Sequence, residues 1–581
     1  MSRMYLAHSQ LLRLSVILAL LTSASLSWAS PKKVALLIGV GDYTAISKLE
    51  GPVHDVRALQ EVLVQRWGYN AGDIRTLVDQ AATRAAIKNE LNALMRRTQP
   101  GDEVFLYFSG HGTSSLQPGS GGAVPDGSGA FYAVDSTAAS GNLLVGRTDI
   151  RPVLEQLDSN GRKVWFVVDT CFAGNMARNM ATEAQVVLNH RTVPLTDDRA
   201  LLAILRGVRD NFQAQQNTHS AWPYRQLLML AASASGEPAI DITPRALQAL
   251  PTVDGRPHGA LTDALLRVLN GSLPADINRD GVLSLNEVYE TLSQFMSSRP
   301  YGQYPQRLPA FKDDPNGIIA APLLRGASVR APQGTVAPEP FKVFAMPCAG
   351  QPLTRFTEPL RRIPGVTLVN QLDTSSRAML SISRDQKHLF LLSPDGGTIA
   401  TAPVNQPDAL SGSLHQLVWL SKIEASAKSG RRAAMQAEIT PADLGVTRVV
   451  GDELKLSLRP DKATYLMLLN VNGLGEVSVV YPYRRNELRV LPASSITTLA
   501  GFTVQPPEGS DVQLWFGFDH LPPQLERQLD RLNMKPGDTR LIELEQLITE
   551  QQGKYSFART EFRTYLPATL KQPINVTQCR P

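Results

Sequence analysis

Short apolar runs in the first half of the chain alternate with stretches of helical spacing. Runs of this kind are typical of strands that are buried on both faces of a sheet. The runs read KKVALLIGVGDY, DIRTLVDQ, DEVFLYFSGHG, KVWFVVDTC and RQLLMLAASASGE. The helical stretches extend from about Val53 to Arg66, across TRAAIKNELNALMRRT with Thr83 as its N-cap, from Asp149 to Leu157, and across GALTDALLRVLNG. This alternation predicts an α/β fold, with a mostly parallel sheet and helices on both faces.

The N-terminus has the form of a secretory signal peptide. Arg3 and Arg13 precede the apolar run Leu14–Leu21, and small residues flank Trp28 before the expected cleavage after Ala29. An uncleaved anchor is the alternative, but the apolar run is too short to span a bilayer. We therefore expect residues 1–29 to be a signal peptide and the mature protein to be periplasmic or secreted.

Length and composition divide the rest of the chain into several units. A chain of 581 residues is too long for one hydrophobic core. Residues 321–340 are rich in proline, alanine and glycine, which indicates a linker between a first domain at 32–320 and a small α/β module at 341–440. Across 441–581, runs such as ELKLSLRP, YLMLLNVN, EVSVVYP and DVQLWFGF are typical of a β-sandwich.

Charge and cysteine content narrow the functions that the chain can have. Lysine and arginine number 58 against 53 aspartates and glutamates, and this small excess, without a dense basic stripe, argues against nucleic-acid binding. The cysteines are Cys171, Cys348 and Cys579. In an oxidising compartment, an odd number leaves one thiol unpaired. A disulfide between Cys348 and Cys579 would leave Cys171 free, and three free thiols are the alternative.

A histidine and a cysteine follow two of the predicted strands. His111 comes after VFLYFSG and Cys171 after VWFVVDT, and in parallel sheets chemistry gathers at the carboxyl ends of the strands. A thiol nucleophile needs an imidazole to accept its proton and donors to hold the oxyanion. The backbone N–H groups of Gly112 and Cys171 are candidate donors. The alternatives are a hydrogen-bonded core histidine and a small buried cysteine, but the flanking glycines and strand-end positions together favour catalysis.

Several segments, in order along the chain, resemble the caspase-like cysteine peptidases, in particular their metacaspase and bacterial branch. These segments are ALLIGVGDY, LEGPVHDV, YFSGHG, VVDTCFAG and AASASGEPAID…HGALTDALL. The resemblance covers about Lys33 to Pro309. It implies a caspase-like, mostly parallel sheet flanked by helices. It also implies a cysteine endopeptidase in which His111 is the general base and acid and Cys171 is the nucleophile that forms a thioester acyl-enzyme.

The same resemblance implies a substrate pocket. Asp55, Ser109 and Asp169 match positions that line the pocket for the residue before the scissile bond in metacaspases. Acidic residues there favour arginine or lysine through charge-assisted hydrogen bonds, so we expect protein or peptide substrates with basic residues. True caspases instead hold aspartate with arginines. LEGPVHDV has no arginine at the matching place, although Arg57 lies close in sequence.

The chain departs from the metacaspase pattern around the cysteine and in the pocket. Phe172 and Ala173 stand where metacaspases have histidine and serine. Neither position carries a proton in the reaction, so the difference concerns loop packing and the shape of the pocket. Pro52 replaces a small pocket residue. The insertion at 175–224 contains several arginines and is a candidate site of self-cleavage, with an ordinary exposed loop as the alternative.

DINRDGVLSLNE fits the twelve-residue loop of an EF-hand, with Gly281 at the turn. Oxygen ligands fall at six positions of the loop, which are Asp276, Asn278, Asp280, the carbonyl of Val282, Ser284 and Glu287. Predicted helices lie on both sides, in GALTDALLRVL and NEVYETLSQFM. We expect bound Ca²⁺ in a structural rather than a regulatory role, and no organic cofactor. A turn that caps a helix is the alternative.

The C-terminal half contains no set of histidine, acid and nucleophile that would indicate catalysis. GDELKLSLRPDKATYLMLLNVNGLGEVSVVYP resembles an uncharacterised β-rich domain appended to bacterial caspase-like domains, so a binding or targeting role with an envelope partner is expected.

For the whole chain we favour an exported cysteine endopeptidase that cleaves after arginine or lysine. A catalytically silent caspase-like scaffold is the alternative. A nucleotide-binding domain is disfavoured because GVGDY lacks the glycine spacing of dinucleotide-binding loops.

Overall fold

The computed structural model of the protein describes residues 31–114, 129–137, 141–170, 189–190, 222–233, 239–247, 250–276, 281–297, 303, 305–309, 314, 317–325, 341–345, 353, 357–370, 376–382, 387–392, 398–429, 435–440, 447–499, 501–506, 509–529, 531–535 and 538–565. The predicted signal peptide, the three cysteines, and most of both the 175–224 insertion and the predicted linker lie outside these residues.

The first half of the chain folds around a six-stranded sheet. Its strands and helices are β1 (Lys33–Gly39), α1 (Pro52–Arg66), β2 (Ile74–Val78), α2 (Arg84–Arg97), β3 (Glu103–Ser109), β4 (Gly112–Ser114), β5 (Gly129–Tyr132), β6 (Leu143–Val145), α3 (Arg151–Ser159), β7 (Lys163–Asp169), β8 (Asn189–His190), β9 (Leu227–Ala231), β10 (Ile240–Ile242), β11 (His258–Gly259), α4 (Ala260–Leu269), β12 (Val282–Ser284), α5 (Leu285–Ser297), β13 (Gln306–Leu308) and β14 (Pro322–Arg325). The strand order is β13-β9-β7-β3-β1-β2, and every pairing is parallel except that of β13 with β9. The predicted α/β fold is confirmed. The edge strand β13 has only three residues, too few for a periodic sequence signal.

Alternate residues of β1 enter two hydrophobic cores, one on each face of the sheet. Ala35 and Leu37 lie in the core that includes α1, α4 and α5, while Leu36 lies in the core that includes α2 and α3. Burial on both faces explains why the strand reads as an uninterrupted apolar run. The predicted N-cap of α2 is confirmed, because the Thr83 hydroxyl accepts the Ala86 N–H at 3.2 Å.

The N-terminus of α1 packs closely against the end of β1. A Cβ atom on Gly39 would lie 2.5 Å from the carbonyl oxygen of Pro52, so a side chain at position 39 would prevent this approach. The carboxylate of Asp241 accepts the N–H of Gly51 at 3.1 Å and so satisfies a donor at the start of the helix. As a result, α1 begins at the carboxyl edge of the sheet, with Asp55 in its first turn.

Among its described residues, the second half of the chain contains three β-sheets and two α-helices. Its elements are β15 (Phe341–Ala345), β16 (Val366–Val369), β17 (Ser376–Ile382), β18 (His388–Leu392), β19 (Thr398–Pro403), α6 (Ser411–Ser429), β20 (Met435–Thr440), β21 (Thr447–Val449), β22 (Glu453–Pro460), β23 (Thr464–Val471), β24 (Val477–Tyr481), β25 (Val490–Leu491), β26 (Thr497–Thr498), β27 (Phe502–Thr503), β28 (Gly509–Phe518), α7 (Thr539–Glu550) and β29 (Tyr555–Tyr565). The strands β15 to β19 form a mixed sheet in the order β16-β15-β17-β18-β19.

Two further sheets follow this module. One contains β20, β22, β26 and β27, and the other has the order β21-β29-β28-β23-β24 with β25 beside β23. Leu456 of the first sheet and Trp515 of the second belong to one hydrophobic core. The expected small α/β module and sandwich-like β-rich region are therefore confirmed as fold classes. None of the described helices is both long and apolar enough to cross a membrane.

A buried ion pair connects β22 with the first half of the chain. Arg459 donates to the carboxylate of Asp314 at 3.3 Å and to its carbonyl oxygen at 2.6 Å. Asp314 is 1% exposed and Arg459 is 7% exposed. The Asp314 carboxylate also accepts the N–H of Ile318 at 2.8 Å, which fixes its orientation. Because both charges are shielded from water, their separation would be costly, and the pair holds β22 against this segment.

Candidate active site

Two neighbouring strands end in register at the carboxyl edge of the first sheet. Ser109 of β3 pairs with Asp169 of β7, and the N–H of Gly110 lies 3.5 Å from the Asp169 carbonyl oxygen. His111 follows Ser109 by two residues, and Cys171 follows Asp169 by two residues. Cys171 itself lies outside the described residues. The two strands therefore end at the same level, two residues before the histidine and two residues before the cysteine. Neighbouring strands in sheets lie about 4.8 Å apart.

The ring of His111 is held by the segment that follows β1. Its Nε2 lies 2.8 Å from the carbonyl oxygen of Ser47 and 3.3 Å from the Ser47 hydroxyl. A carbonyl oxygen can only accept, so Nε2 carries a hydrogen and, in the neutral ring, Nδ1 has the lone pair. The side chain of His111 is fully buried. This orientation makes Nδ1 the nitrogen that can accept a proton.

The hydroxyl of Tyr43 lies between His111 and strand β5. Its oxygen accepts the backbone N–H of His111 at 2.9 Å, and the hydroxyl donates to the carbonyl oxygen of Tyr132 at 3.1 Å. The ring centroids of Tyr43 and His111 are 4.9 Å apart. A Cβ atom on Gly110 would lie 2.7 Å from the Tyr43 hydroxyl oxygen, which explains the glycine before the histidine. Tyr43 thus contacts both the backbone and the ring of His111.

Gly112 begins the short strand β4, which pairs with β5. Tyr132 donates its N–H to the His111 carbonyl at 3.0 Å, so these two residues face each other across the ladder. The next pair, Gly112 and Phe131, is then of the non-hydrogen-bonded kind, in which the N–H points away from the partner strand. The N–H of Gly112, the candidate oxyanion donor, therefore makes no ladder hydrogen bond with strand β5.

Asp55 contacts Ser109, another of the predicted pocket residues. The Ser109 hydroxyl donates to Oδ2 of Asp55 at 2.7 Å. On the other side, Nδ1 of His258 and the N–H of Gly259 lie 2.9 and 3.1 Å from Oδ1 of Asp55. The side chains of Asp55, Ser109 and His258 are fully buried. The carboxylate thus accepts hydrogen bonds from two different parts of the chain, the end of β3 and the strand β11.

Asp169, the third predicted pocket residue, faces the N-terminus of α4. Its Oδ2 accepts the backbone N–H of Thr262 at 3.0 Å and the Thr262 hydroxyl at 2.6 Å. The N-terminus of a helix favours negative charge, because its N–H groups point outward. The stretch 258–262 therefore binds Asp55 at one end and Asp169 at the other, and so links the two buried acids.

The sequence patterns did not identify the residues that hold this site together. Ser47 acts through its carbonyl oxygen, which has no side-chain signature. Tyr43 reaches His111 from a different strand end, and only the fold reveals that approach. The histidine and threonine of HGALT were a usable signal, because polar residues between a strand and an apolar helix require buried partners. They indicate that His258 and Thr262 belong to the site.

The EF-hand-like loop is described only in part. Asn278 and Asp280 lie outside the described residues. Oδ2 of Asp276 accepts the N–H of Gly281 at 3.0 Å, which ties the first position of the loop to its turn. Among the described residues, no group of three or more histidine, cysteine, aspartate and glutamate side chains is arranged to hold a metal ion.

The end of this loop also caps α5. Val282 and Ser284 lie in β12, which pairs with β14. Oε2 of Glu287 accepts the N–H of Ser284 at 3.0 Å, and the Ser284 hydroxyl oxygen accepts the N–H of Glu287 at 3.2 Å. This reciprocal pair is a capping box. The helix-capping role, which the sequence left as the alternative to a calcium site, is therefore present, and calcium binding stays a prediction.

The mostly parallel sheet and the histidine at a strand end agree with the caspase-like fold that the sequence predicts. Residues 32–310 match the caspase domain family. This part of the chain therefore has the caspase domain of that family.

Metacaspases of fungi and plants are similar to part of the chain. The Metacaspase-1 of Schizosaccharomyces pombe is 37% identical over 87 residues, 14% of this chain and 20% of the relative. The Metacaspase-1 of Eremothecium gossypii is 28% identical over 158 residues, 26% of this chain and 33% of the relative. The Metacaspase-7 of Arabidopsis thaliana is 31% identical over 150 residues, 25% of this chain and 35% of the relative. The chain thus spans about a third or less of the length of these relatives.

Two solved structures are also similar to part of the chain. The crystal structure of a Geobacter sulfurreducens protein has a TM-score of 0.31 at 20% identity, and the match covers 48% of this chain and 93% of that one. The crystal structure of Caspase-1 from Spodoptera frugiperda has a TM-score of 0.27 at 9% identity, with 46% and 76% covered.

Proposed function

We propose that the protein is a cysteine endopeptidase that cleaves peptide bonds after arginine or lysine, with Cys171 and His111 as its dyad. The register of β3 and β7 carries this proposal. Ser109 pairs with Asp169 at the edge of the sheet. His111 and Cys171 therefore each come two residues after this edge, on neighbouring strands. Neighbouring strands lie about 4.8 Å apart, which supports a pairing of the thiol and the imidazole that follow these two strand ends.

In the proposed reaction, Nδ1 of His111 accepts the proton of the Cys171 thiol, and the thiolate adds to the carbonyl carbon of the scissile bond. The resulting oxyanion accepts hydrogen bonds from the N–H groups of Gly112 and Cys171. The imidazolium then donates its proton to the leaving amine, the C–N bond breaks, and a thioester remains. Finally, His111 accepts a proton from water, hydroxide adds to the thioester, and the carboxylic acid product leaves as the thiol is restored.

The proposed preference for basic residues depends on Asp55 and Asp169, with Ser109 between them. Two buried carboxylates near one strand end support a pocket for a cation, because opposite charges attract more strongly where water is excluded. The substrates are then proteins or peptides with arginine or lysine before the scissile bond. On the same preference we propose self-cleavage in the 175–224 insertion.

The remaining proposals concern the location and the C-terminal half. The signal-peptide pattern supports export to the periplasm or the cell exterior. The β-rich half is proposed to bind an envelope partner. Trypsin accessibility of the protein in intact and in lysed cells of the source organism, followed with an antibody, tests export. A control cytosolic protein should be protected in intact cells and cleaved only after lysis.

We also propose that the loop from Asp276 to Glu287 binds Ca²⁺. The proposal is supported by the loop's all-oxygen ligand set and by the hydrogen bond from the N–H of Gly281 to the carboxylate of Asp276. Calcium titration of the full chain by calorimetry is expected to give a Kd on the order of 10⁻⁴–10⁻³ M, lost in Glu287→Gln and kept in the surface variant Glu526→Gln. Absence of binding to the wild-type chain would contradict the proposal.

Hydrolysis of fluorogenic peptides tests the proposed reaction. The mature chain, under reducing conditions with and without calcium, should cleave a peptide that ends in arginine before the fluorophore. Cys171→Ala and His111→Ala should each lower kcat by about 10³-fold or more, as loss of a nucleophile or its base does in other peptidases. Equal turnover by Cys171→Ala, or no turnover by the wild-type chain, would favour the silent scaffold.

A further inference from the structure

A buried histidine lies between two carboxylates beside the candidate site. Nδ1 of His258 lies 2.9 Å from Oδ1 of Asp55, and its Nε2 lies 2.9 Å from Oδ1 of Asp254. The side chains of His258 and Asp55 are 0% exposed, and that of Asp254 is 33% exposed. Ionised carboxylates only accept hydrogen bonds, so both ring nitrogens of His258 must carry hydrogens. With both carboxylates ionised, this geometry is that of an imidazolium.

The surroundings of His258 support this positive charge. Burial alone would lower the pKa of His258, but the hydrogen bond and charge of Asp55, together with those of Asp254, outweigh it and raise the pKa above its ordinary value. The nearby His54, whose ring centroid is 6.5 Å away, has the opposite shift. Burial first, and then the charge of His258, lower the pKa of His54. Of the two histidines, His258 is the one whose surroundings favour the protonated form.

This cation lies directly behind a predicted pocket acid. Asp55 accepts the Ser109 hydroxyl at 2.7 Å through one oxygen and His258 through the other. A substrate guanidinium or ammonium that approaches Asp55 would thus meet a carboxylate whose charge is already partly balanced. Like charges a few ångströms apart in a partly dry site repel by an amount that is large enough to affect binding.

We propose that His258 is a specificity-determining residue, whose imidazolium offsets the charge of Asp55 and thereby moderates the preference for arginine or lysine. The proposal rests on the proposed function, in which Asp55 lines the substrate pocket. His258 acts through Asp55 and takes no part in the bond-making steps.

Two peptides that differ only at the residue before the scissile bond test this role. One contains arginine and the other contains citrulline, which has nearly the same shape and no charge. In His258→Gln, an amide can still donate to Asp55, but the positive charge is gone. The ratio of kcat/KM for arginine over citrulline should rise about tenfold in His258→Gln. It should stay near the wild-type ratio in His258→Lys, which keeps a charge, and in His54→Gln, which removes a neutral ring.

The outcomes separate this inference from the proposed function. A wild-type chain that cleaves neither peptide, or cleaves both equally, overturns the proposed function and this inference with it. A wild-type chain that prefers arginine, combined with an unchanged or lower ratio in His258→Gln, overturns the inference alone. If His258→Gln does not fold, ¹⁵N NMR of the wild-type imidazoles decides: two protonated nitrogens on His258 at neutral pH support the inference, and a neutral ring overturns it.

Discussion

The hydroxyl oxygen of Tyr43 accepts the backbone N–H of His111 at 2.9 Å. The same hydroxyl donates to Tyr132, and the Tyr43 ring packs against the imidazole. One side chain from the loop after β1 therefore fixes the backbone of the β3–β4 connection and the position of its histidine. Because the ring of His111 is also bonded to Ser47, both contacts come from the same loop. This loop acts as the support of the proposed base.

Removal of the Tyr43 hydroxyl should weaken both folding and catalysis. Tyr43→Phe keeps the ring but leaves the N–H of His111 and the carbonyl of Tyr132 without this bridge, a loss of about 1–3 kcal/mol in stability. We expect kcat to fall about tenfold with KM nearly unchanged, because the base is displaced while the pocket is intact. Tyr69→Phe, which alters a buried tyrosine elsewhere in the same domain, is the control. Equal kcat values for the two variants would contradict this role.

The close packing of α1 on β1 predicts a large difference between two glycine substitutions. A Cβ atom at Gly39 would meet the backbone carbonyl of Pro52, whereas one at Gly72 has no atom within 4 Å. Gly39→Ala should destabilise the domain by about 1–3 kcal/mol, as overpacking does. Gly72→Ala should have an effect near zero. Urea unfolding of the two variants measures the difference, and similar midpoints would contradict the close approach.

The buried carboxyl of Asp511 predicts a pH-dependent stability in the C-terminal half. Burial raises its pKa to about 6, against the hydrogen bonds that it accepts from Thr564 and Asn470. A raised pKa in the folded state gives stability that is complete below the ordinary value near 4 and is lost as the pH rises through about 6. Asp511→Asn should therefore match the wild type at about pH 4 and unfold at a higher temperature at about pH 7.5. A constant difference across this range in thermal unfolding would count against the shift.

The Arg459–Asp314 pair predicts how firmly β22 is held against the first half of the chain. Arg459→Met leaves the Asp314 charge buried and unpaired, which should cost about 3 kcal/mol. Hydrogen exchange in residues 318–320 and in β22 should become faster. The matched control is Arg485→Met, because the Arg485–Glu526 pair has side chains that are 82% and 47% exposed and should contribute little. Equal exchange in both variants would show that the buried pair does not hold this contact.

The sequence predicts the sheet of the first half well, because strands buried on both faces have a distinct apolar pattern. The parallel direction of the strands follows from the helices between them, whereas their order in the sheet was not predicted. The pattern does not reveal β13, and it placed the start of α1 at Val53, one residue after the observed start at Pro52. Short edge strands and exact helix ends depend on tertiary contacts, such as that between Asp241 and Gly51, which have no local signature.

The candidate site was predictable only where side chains carry the chemistry. His111 was identifiable because it follows a buried strand and lies between glycines. The contributions of the Ser47 carbonyl and the Tyr43 hydroxyl arise from approaches between distant segments. His258 was quoted in the sequence only as part of a family resemblance, and its two carboxylate partners depend on the fold that brings α1 beside β11.

Alkylation of Cys171 as a function of pH tests the central claim most directly, because it probes the thiol and the imidazole without a substrate. Mass spectrometry of the peptide that contains Cys171 distinguishes it from Cys348 and Cys579. The account predicts rapid alkylation by iodoacetamide at near-neutral pH in the wild-type chain, and a shift toward the alkaline range of an ordinary thiol in His111→Ala. Identical pH profiles for the wild type and His111→Ala would contradict the pairing of His111 with Cys171.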